Sequence, residues 1–178
     1  MSIKELQEVY AKHPNVAGLA SLRKNKDIKT VYLEGVHGSC ASLFASVSVK
    51  TMPGIHVFIL NDLEEAGYFY HDLTQILGTE QVLFFPSSFR RAIKYGQKDA
   101  ANEILRTEVL SRLQKGEEGL CVVTYPDALA EKVVSRKELG DKTLKLHLGE
   151  KVDMDFVTEV LRLSLIHISE PTRRTPIS

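Results

Sequence analysis

The sequence predicts an α/β fold, a mostly parallel sheet with helices on both faces. Three observations carry this. Short runs rich in β-branched and aromatic residues alternate with stretches of helical spacing. One of those runs, residues 55–60, is apolar almost continuously, as a strand buried on both faces must be. The turn between the first such run and the helix after it carries Gly35 and Gly38, the residue type that tolerates a sharp reversal of the backbone.

Each element has its own local reason. Ser2-Ile3-Lys4-Glu5 fits a capping box and starts a helix that runs to about Lys12. Pro14 interrupts it. Val16, Leu19 and Leu22 then share one face of a second helix over 16–23, followed by a solvated turn at 24–27. Residues 1–28 are thus an N-terminal helical extension on the flank of the sheet, and 29–162 the α/β domain proper. Strand one is 30–34, and a helical stretch at 43–50 follows the glycine-bearing turn. Strand two is 55–60. Asn61-Asp62 offers the next N-cap, with Glu64 and Glu65 in the first turn where the helix dipole favours acid. That helix places Ala66, Phe69, Tyr70, Leu73 and Leu77 on one stripe and stops at Gly78. Strand three, 81–85, is halted by Pro86. Residues 87–98 are irregular and basic. Asp99 opens a long helix with Ala101, Leu105, Val109 and Leu113 at four-residue intervals, ending at Lys115-Gly116. Strand four is 120–124, followed by a helix over 127–134, a strand at 143–148 and a last helix from Asp153 through Leu161.

Composition narrows the function classes. A chain of 178 residues is long enough for one domain with a sizeable core. Lys and Arg number 23 and Asp and Glu 23, so no global basic field attracts nucleic acid. Cys40 and Cys121 lie far apart and no secretory signal precedes them, which points to a reducing cytoplasm. Apolar runs such as 57–60 are far too short to cross a bilayer, so no membrane partner is expected.

The stretch with the most chemical content is Leu33-Glu34-Gly35-Val36-His37-Gly38-Ser39-Cys40-Ala41-Ser42. A strand, a glycine turn and a helix N-terminus together cradle phosphate, because backbone N–H groups and the helix dipole converge there. A working loop reads G-x-x-x-x-G-K-[ST], its lysine reaching the phosphates and its hydroxyl the magnesium. Here Gly35 matches the first glycine and Ser42 the hydroxyl, while Cys40 replaces the second glycine and Ala41 the lysine. Ala41 removes the charge that neutralises the transferring phosphate. Cys40 adds a Cβ where the backbone must approach the ligand. The loop reads as a tight strand-to-helix turn, with weak anion holding as its alternative. Gly35, Gly38, Ser39 and Ser42 are the vestigial phosphate-loop residues, and no bound cofactor is expected on them.

Other groupings are weaker. His13, His37, His56, His71 and His147 show neither i, i+4 pairing nor cysteines at ligand spacing, so no metal is expected. Cys40 beside a helix start has no evident base partner, and Ser39 and Ser42 lack a nucleophile elbow. No catalytic residues are assigned. Arg90, Arg91, Lys94 and Lys98, interleaved with Phe89 and Tyr95, read as a solvated loop or as a strip for a phosphate backbone.

Five segments in order carry a resemblance: Leu33-Glu34-Gly35-Val36-His37-Gly38-Ser39, Phe58-Ile59-Leu60-Asn61-Asp62-Leu63-Glu64-Glu65-Ala66, Val82-Leu83-Phe84-Phe85-Pro86-Ser87-Ser88, Arg106-Thr107-Glu108-Val109-Leu110-Ser111-Arg112-Leu113 and Val122-Val123-Thr124-Tyr125-Pro126-Asp127-Ala128-Leu129. Over residues 2–162 they resemble the N-terminal, excinuclease-B-like module of the bacterial transcription-repair coupling factor family. The resemblance implies a P-loop, helicase-like domain with a degenerate nucleotide site; an excinuclease B subunit would have glycine and lysine where Cys40 and Ala41 stand. It implies a full-length parent that is an ATP-dependent DNA translocase, with ATP and magnesium in a downstream motor. That parent acts on double-stranded DNA, displaces stalled RNA polymerase and recruits the excinuclease A subunit. The present chain would be a non-catalytic scaffold fragment in transcription-coupled nucleotide excision repair, cytoplasmic, and in contact mainly with neighbouring domains beyond Arg162. The alternatives are an ATP-dependent helicase or excinuclease B-type subunit, and a stand-alone nucleic-acid-binding module. Leu163 to about Arg174 resembles the translation of a transposon-end sequencing adapter. Residues 163–178 are therefore read as a non-native tail, the alternative being a natural disordered one.

Overall fold

Three short runs in the middle of the chain, each stopped by a turn residue, become the three strands of one sheet. The computed structural model describes residues 2–89, 99–135, 151–155 and 158. Its elements run α1 (Ile3–Ala11), α2 (Pro14–Lys24), α3 (Ser39–Thr51), β1 (His56–Ile59), α4 (Leu63–Leu77), β2 (Val82–Phe85), α5 (Ala100–Lys115), β3 (Cys121–Thr124) and α6 (Pro126–Leu129). The chain divides into two compact units, Met1–Lys132 and Val133–Ser178, and all these elements belong to the first. In the second, Met154, Asp155 and Thr158 are helical, where a helix is predicted. The predicted strand at 143–148, the rest of that helix and the tail 163–178 lie outside the described residues.

The three strands pair in parallel, in the order β1-β3-β2. The register sets Phe58, Val123 and Phe84 in one row and Ile59, Thr124 and Phe85 in the next. Successive residues of a strand face opposite ways, so the two rows lie on opposite faces. On the first face α4 brings Phe69 to 5.2 Å from Phe58 and Tyr70 to 5.2 Å from Phe84, ring centre to ring centre. On the second, α5 lays the Arg106 guanidinium 4.2 Å above the Phe85 ring. Ala66, Leu73, Val82, Val109, Cys121 and Val123 fill the core between these layers.

The helices begin and end as their local sequence directs. Ser2 and Glu5 form the reciprocal capping box, the Ser2 N–H donating to Glu5 Oε2 at 2.8 Å and the Glu5 N–H to Ser2 Oγ at 3.3 Å. Asp62 caps α4 by accepting the Glu65 N–H at 2.9 Å. Asp99 caps α5, which closes at Gly116 in the left-handed conformation, φ 72°.

Several expectations are corrected. Residues 30–34 form no strand: Val31 and Leu33 are exposed and Tyr32 is 86 % exposed. The run pairs with none of the three strands, and a β-prone run without a ladder partner remains irregular. The helix predicted over 127–134 is only α6, because the chain turns away at Ala130 and sends Glu131 back toward Ser87 and Ser88. Pro14 opens α2 as its first residue rather than merely separating two helices, with His13 Nδ1 accepting the Asn15 N–H at 3.3 Å. The principal packing partner of α1 and α2 is α3, not the sheet.

Candidate functional site

The loop from Gly35 to Ser42 leads into α3, and both of its glycines are needed for their backbone. Gly35 has φ 79°, and Gly38, the N-cap of α3, has φ 54° with ψ −140°, a region essentially closed to other residues. Nothing lies within 4 Å of a Cβ built on either, so the glycines serve the turn and not a close approach. The first amides of α3 are partly spent within the turn. Cys40 N–H donates to the His37 carbonyl at 3.2 Å and Ala41 N–H to the Gly38 carbonyl at 2.9 Å. Those are donors a phosphate loop would offer its ligand.

Ser42 is 1 % exposed and donates to Asp72 Oδ2 of α4 at 3.1 Å. The hydroxyl matched to magnesium binding is thus a buried group satisfied by a neighbouring helix. Ser39, the first residue of α3, is exposed. Beside the loop lies a cavity of about 480 Å³ whose walls include His37, Gly38, Ser39, Ala41 and Ser42 on one side and Leu60, Glu65, Tyr68 and Asp72 on the other. Its described lining contains two carboxylates and neither lysine nor arginine, the reverse of what a polyphosphate requires. Glu65 Oε2 also accepts from Asn61, at 3.1 Å from its N–H and 2.7 Å from its Nδ2.

Cys40 faces another space. A cavity of about 630 Å³ is bordered by Tyr10, Leu19, Val31, Leu33, Cys40 and Phe44, among others. The Tyr10 hydroxyl donates to Cys40 Sγ at 3.2 Å. That hydrogen bond, with smaller contributions from burial and thiol charge, raises the Tyr10 phenol above its ordinary value. Cys121 is fully buried in β3, and burial pushes its thiol up to about 11.

The structure therefore brings Gly35, Gly38, Ser39 and Ser42 into one turn at the start of α3. Two features were missed from sequence. Asp72, the partner of Ser42, sits one residue before the stripe residue Leu73 and reads as a solvated helical acid. The second is a polar cluster at the C-terminal ends of β2 and β3: Arg106, Glu131, Ser87 and Ser88. Arg106 lies beside the Leu105 stripe, and a buried arginine leaves no periodic signal. Arg90, Arg91, Lys94 and Lys98 lie outside the described residues, and Phe89 is exposed. Among the described residues no group of three or more His, Cys, Asp or Glu is placed to hold a metal ion, and no helix is long and apolar enough to cross a membrane. Compared with known proteins, the chain matches no family model, no curated protein and no solved structure.

Proposed function

We propose that this chain is a non-catalytic scaffold: a helicase-like module with a vestigial phosphate loop, part of a cytoplasmic transcription-repair coupling factor. The observation that carries the non-catalytic part is the loop itself. Ala41 stands where the lysine belongs, Ser42 is bound to Asp72, and the adjoining cavity holds carboxylates. A nucleotide triphosphate would meet negative charge with too few amides to offset it. The coupling-factor part rests on the order of the five sequence segments and on a parallel sheet of compatible class. On this reading, RNA polymerase, the excinuclease A subunit, double-stranded DNA, ATP and magnesium belong to the parent protein, and the module contacts its neighbouring domains.

Two experiments test it. Titration with a fluorescent ATP analogue and magnesium is expected to give no saturable signal, and a phosphate-release assay no turnover above a blank. Saturable binding lost in Ser42→Ala would replace the scaffold with a nucleotide-dependent enzyme. Re-sequencing the gene across the Arg162 codon, with adapter-free reads, is expected to continue into further domains and a complete phosphate loop bearing its lysine. A genuine stop codon near Ser178 would remove the coupling-factor reading.

A further inference from the structure

β2 ends at Phe85 and β3 at Thr124, and the segments that follow them meet. In open parallel sheets the crevice beyond the strand C-termini is where ligands bind. Here the turn Pro86-Ser87-Ser88 is held from several sides. The Ser87 N–H donates to the Tyr125 hydroxyl at 2.8 Å, Asn102 Nδ2 donates to the Ser87 carbonyl at 2.9 Å, and the Thr124 hydroxyl donates to the Phe85 carbonyl at 2.9 Å. Fixed in this way, the turn directs three donors at one carboxylate, that of Glu131. The Ser88 hydroxyl reaches Oε2 at 2.6 Å and the Ser88 N–H reaches it at 2.9 Å, while the Ser87 hydroxyl bonds Oε1. Arg106, only 6 % exposed, adds its positive charge, with Nη1 at 3.4 Å from Oε2.

The carboxylate uses this cradle incompletely. Nη1 of Arg106 is closer to the carbonyls of Pro86 at 2.7 Å and Ala128 at 3.1 Å than to Glu131. Nη2 is buried with no hydrogen-bond partner, and an orphaned guanidinium nitrogen is costly. The serines hold both oxygens of Glu131 in place, and neither of them bonds Nη2. A tetrahedral oxyanion has more oxygens. Glu131 also arrives on the irregular segment after α6, between exposed Ala130 and Lys132, so it can withdraw without breaking a strand or helix.

We propose that Ser87, Ser88 and Arg106 form a binding site for the phosphate group of a small molecule, closed in this state by the chain's own Glu131 acting as an internal stand-in. The site is separate from the vestigial loop and does not rest on the scaffold reading. The ligand binds when Glu131 leaves, so the tethered carboxylate lowers its apparent affinity.

The test uses the full chain, wild type and Glu131→Ala, with inorganic phosphate as the probe and chloride and acetate at matched ionic strength as controls. Melting temperature and the Ser87 and Ser88 amide resonances are followed. In Glu131→Ala, phosphate is expected to raise the melting temperature saturably and shift both amides, with wild type responding at least about tenfold more weakly. Adding Ser87→Ala and Ser88→Ala is expected to abolish the response. A folded Glu131→Ala protein that responds to phosphate no more than to chloride overturns the proposal. So does an equal response to acetate, or binding of a DNA oligonucleotide without any effect of phosphate. Should Glu131→Ala not fold, Glu131→Gln keeps the shape and removes the charge. Failure of both to fold would make Glu131 a permanent staple and overturn the proposal as well.

Discussion

Arg106 and Glu131 are the side chains whose surroundings most constrain their chemistry. Burial alone would raise the Glu131 carboxyl, but hydrogen bonds from Ser87 and Ser88 and the Arg106 charge outweigh it and hold the group below its ordinary 4.5. A carboxylate whose folded value is depressed contributes stability above its unfolded value and loses it as pH falls through the folded one. Melting temperature is therefore expected to drop below pH 4.5, and Glu131→Gln to flatten that acid limb. Removing the other partner leaves the half-buried carboxylate without its counter-charge and the Pro86 and Ala128 carbonyls without their donor: Arg106→Met is expected to cost about 3 kcal/mol in urea unfolding. The two cysteines differ as sharply. Cys121, fully buried with its thiol pushed up to about 11, is expected to resist a thiol reagent at neutral pH until denaturant is added, whereas the half-buried Cys40 reacts in the folded protein.

At the scale of elements, what was legible in the sequence is what short-range chemistry decides. The capping box at Ser2, the Asp62 cap and the Gly78 stop were readable because each satisfies backbone groups within a few residues. Asp62→Ala is accordingly expected to destabilise by about 1 kcal/mol, measured by chemical unfolding. The three strands could be read from apolar runs, but the sheet buries only β2 and β3; the run at 55–60, expected to be buried on both faces, is the edge strand β1 with Val57 and Ile59 exposed. Residues 30–34 carry the same β-branched and aromatic signal, but a strand exists only with a partner, and pairing is decided by residues far away in the chain. The end of α6 was illegible for a related reason. Nothing within residues 127–134 records that Glu131 has donors waiting at Ser87 and Ser88. The candidate loop was legible in its missing lysine and glycine, not in its acidic surroundings, since Asp72 reaches Ser42 across a helix pair.

For the first unit as a whole, the two faces of the sheet are unequally covered. Ile55, Val57 and Ile59 follow one another on the α5 side of β1 and are 46 %, 54 % and 58 % exposed, while their row-mates Leu83 and Phe85 on β2 are buried. An apolar strip on an edge strand invites association. Ile59→Lys is expected to lower the concentration-dependent light scattering of the protein while leaving its unfolding midpoint nearly unchanged.

The strand order has a consequence for how this protein is made. Among the described residues β1 and β2 pair only with β3, which is the last of the three in the chain and is inserted between them. During synthesis both earlier strands leave the ribosome without a ladder partner, and they wait through the whole of α5 for residues 121–124. Until then α3 and α4 have each other to pack on, and the strands can meet α4 through Phe58 and Phe84 but have no strand to bond. A nascent chain stalled before Cys121 should thus carry helices and no sheet, and its vulnerability to proteases should end abruptly once Thr124 emerges.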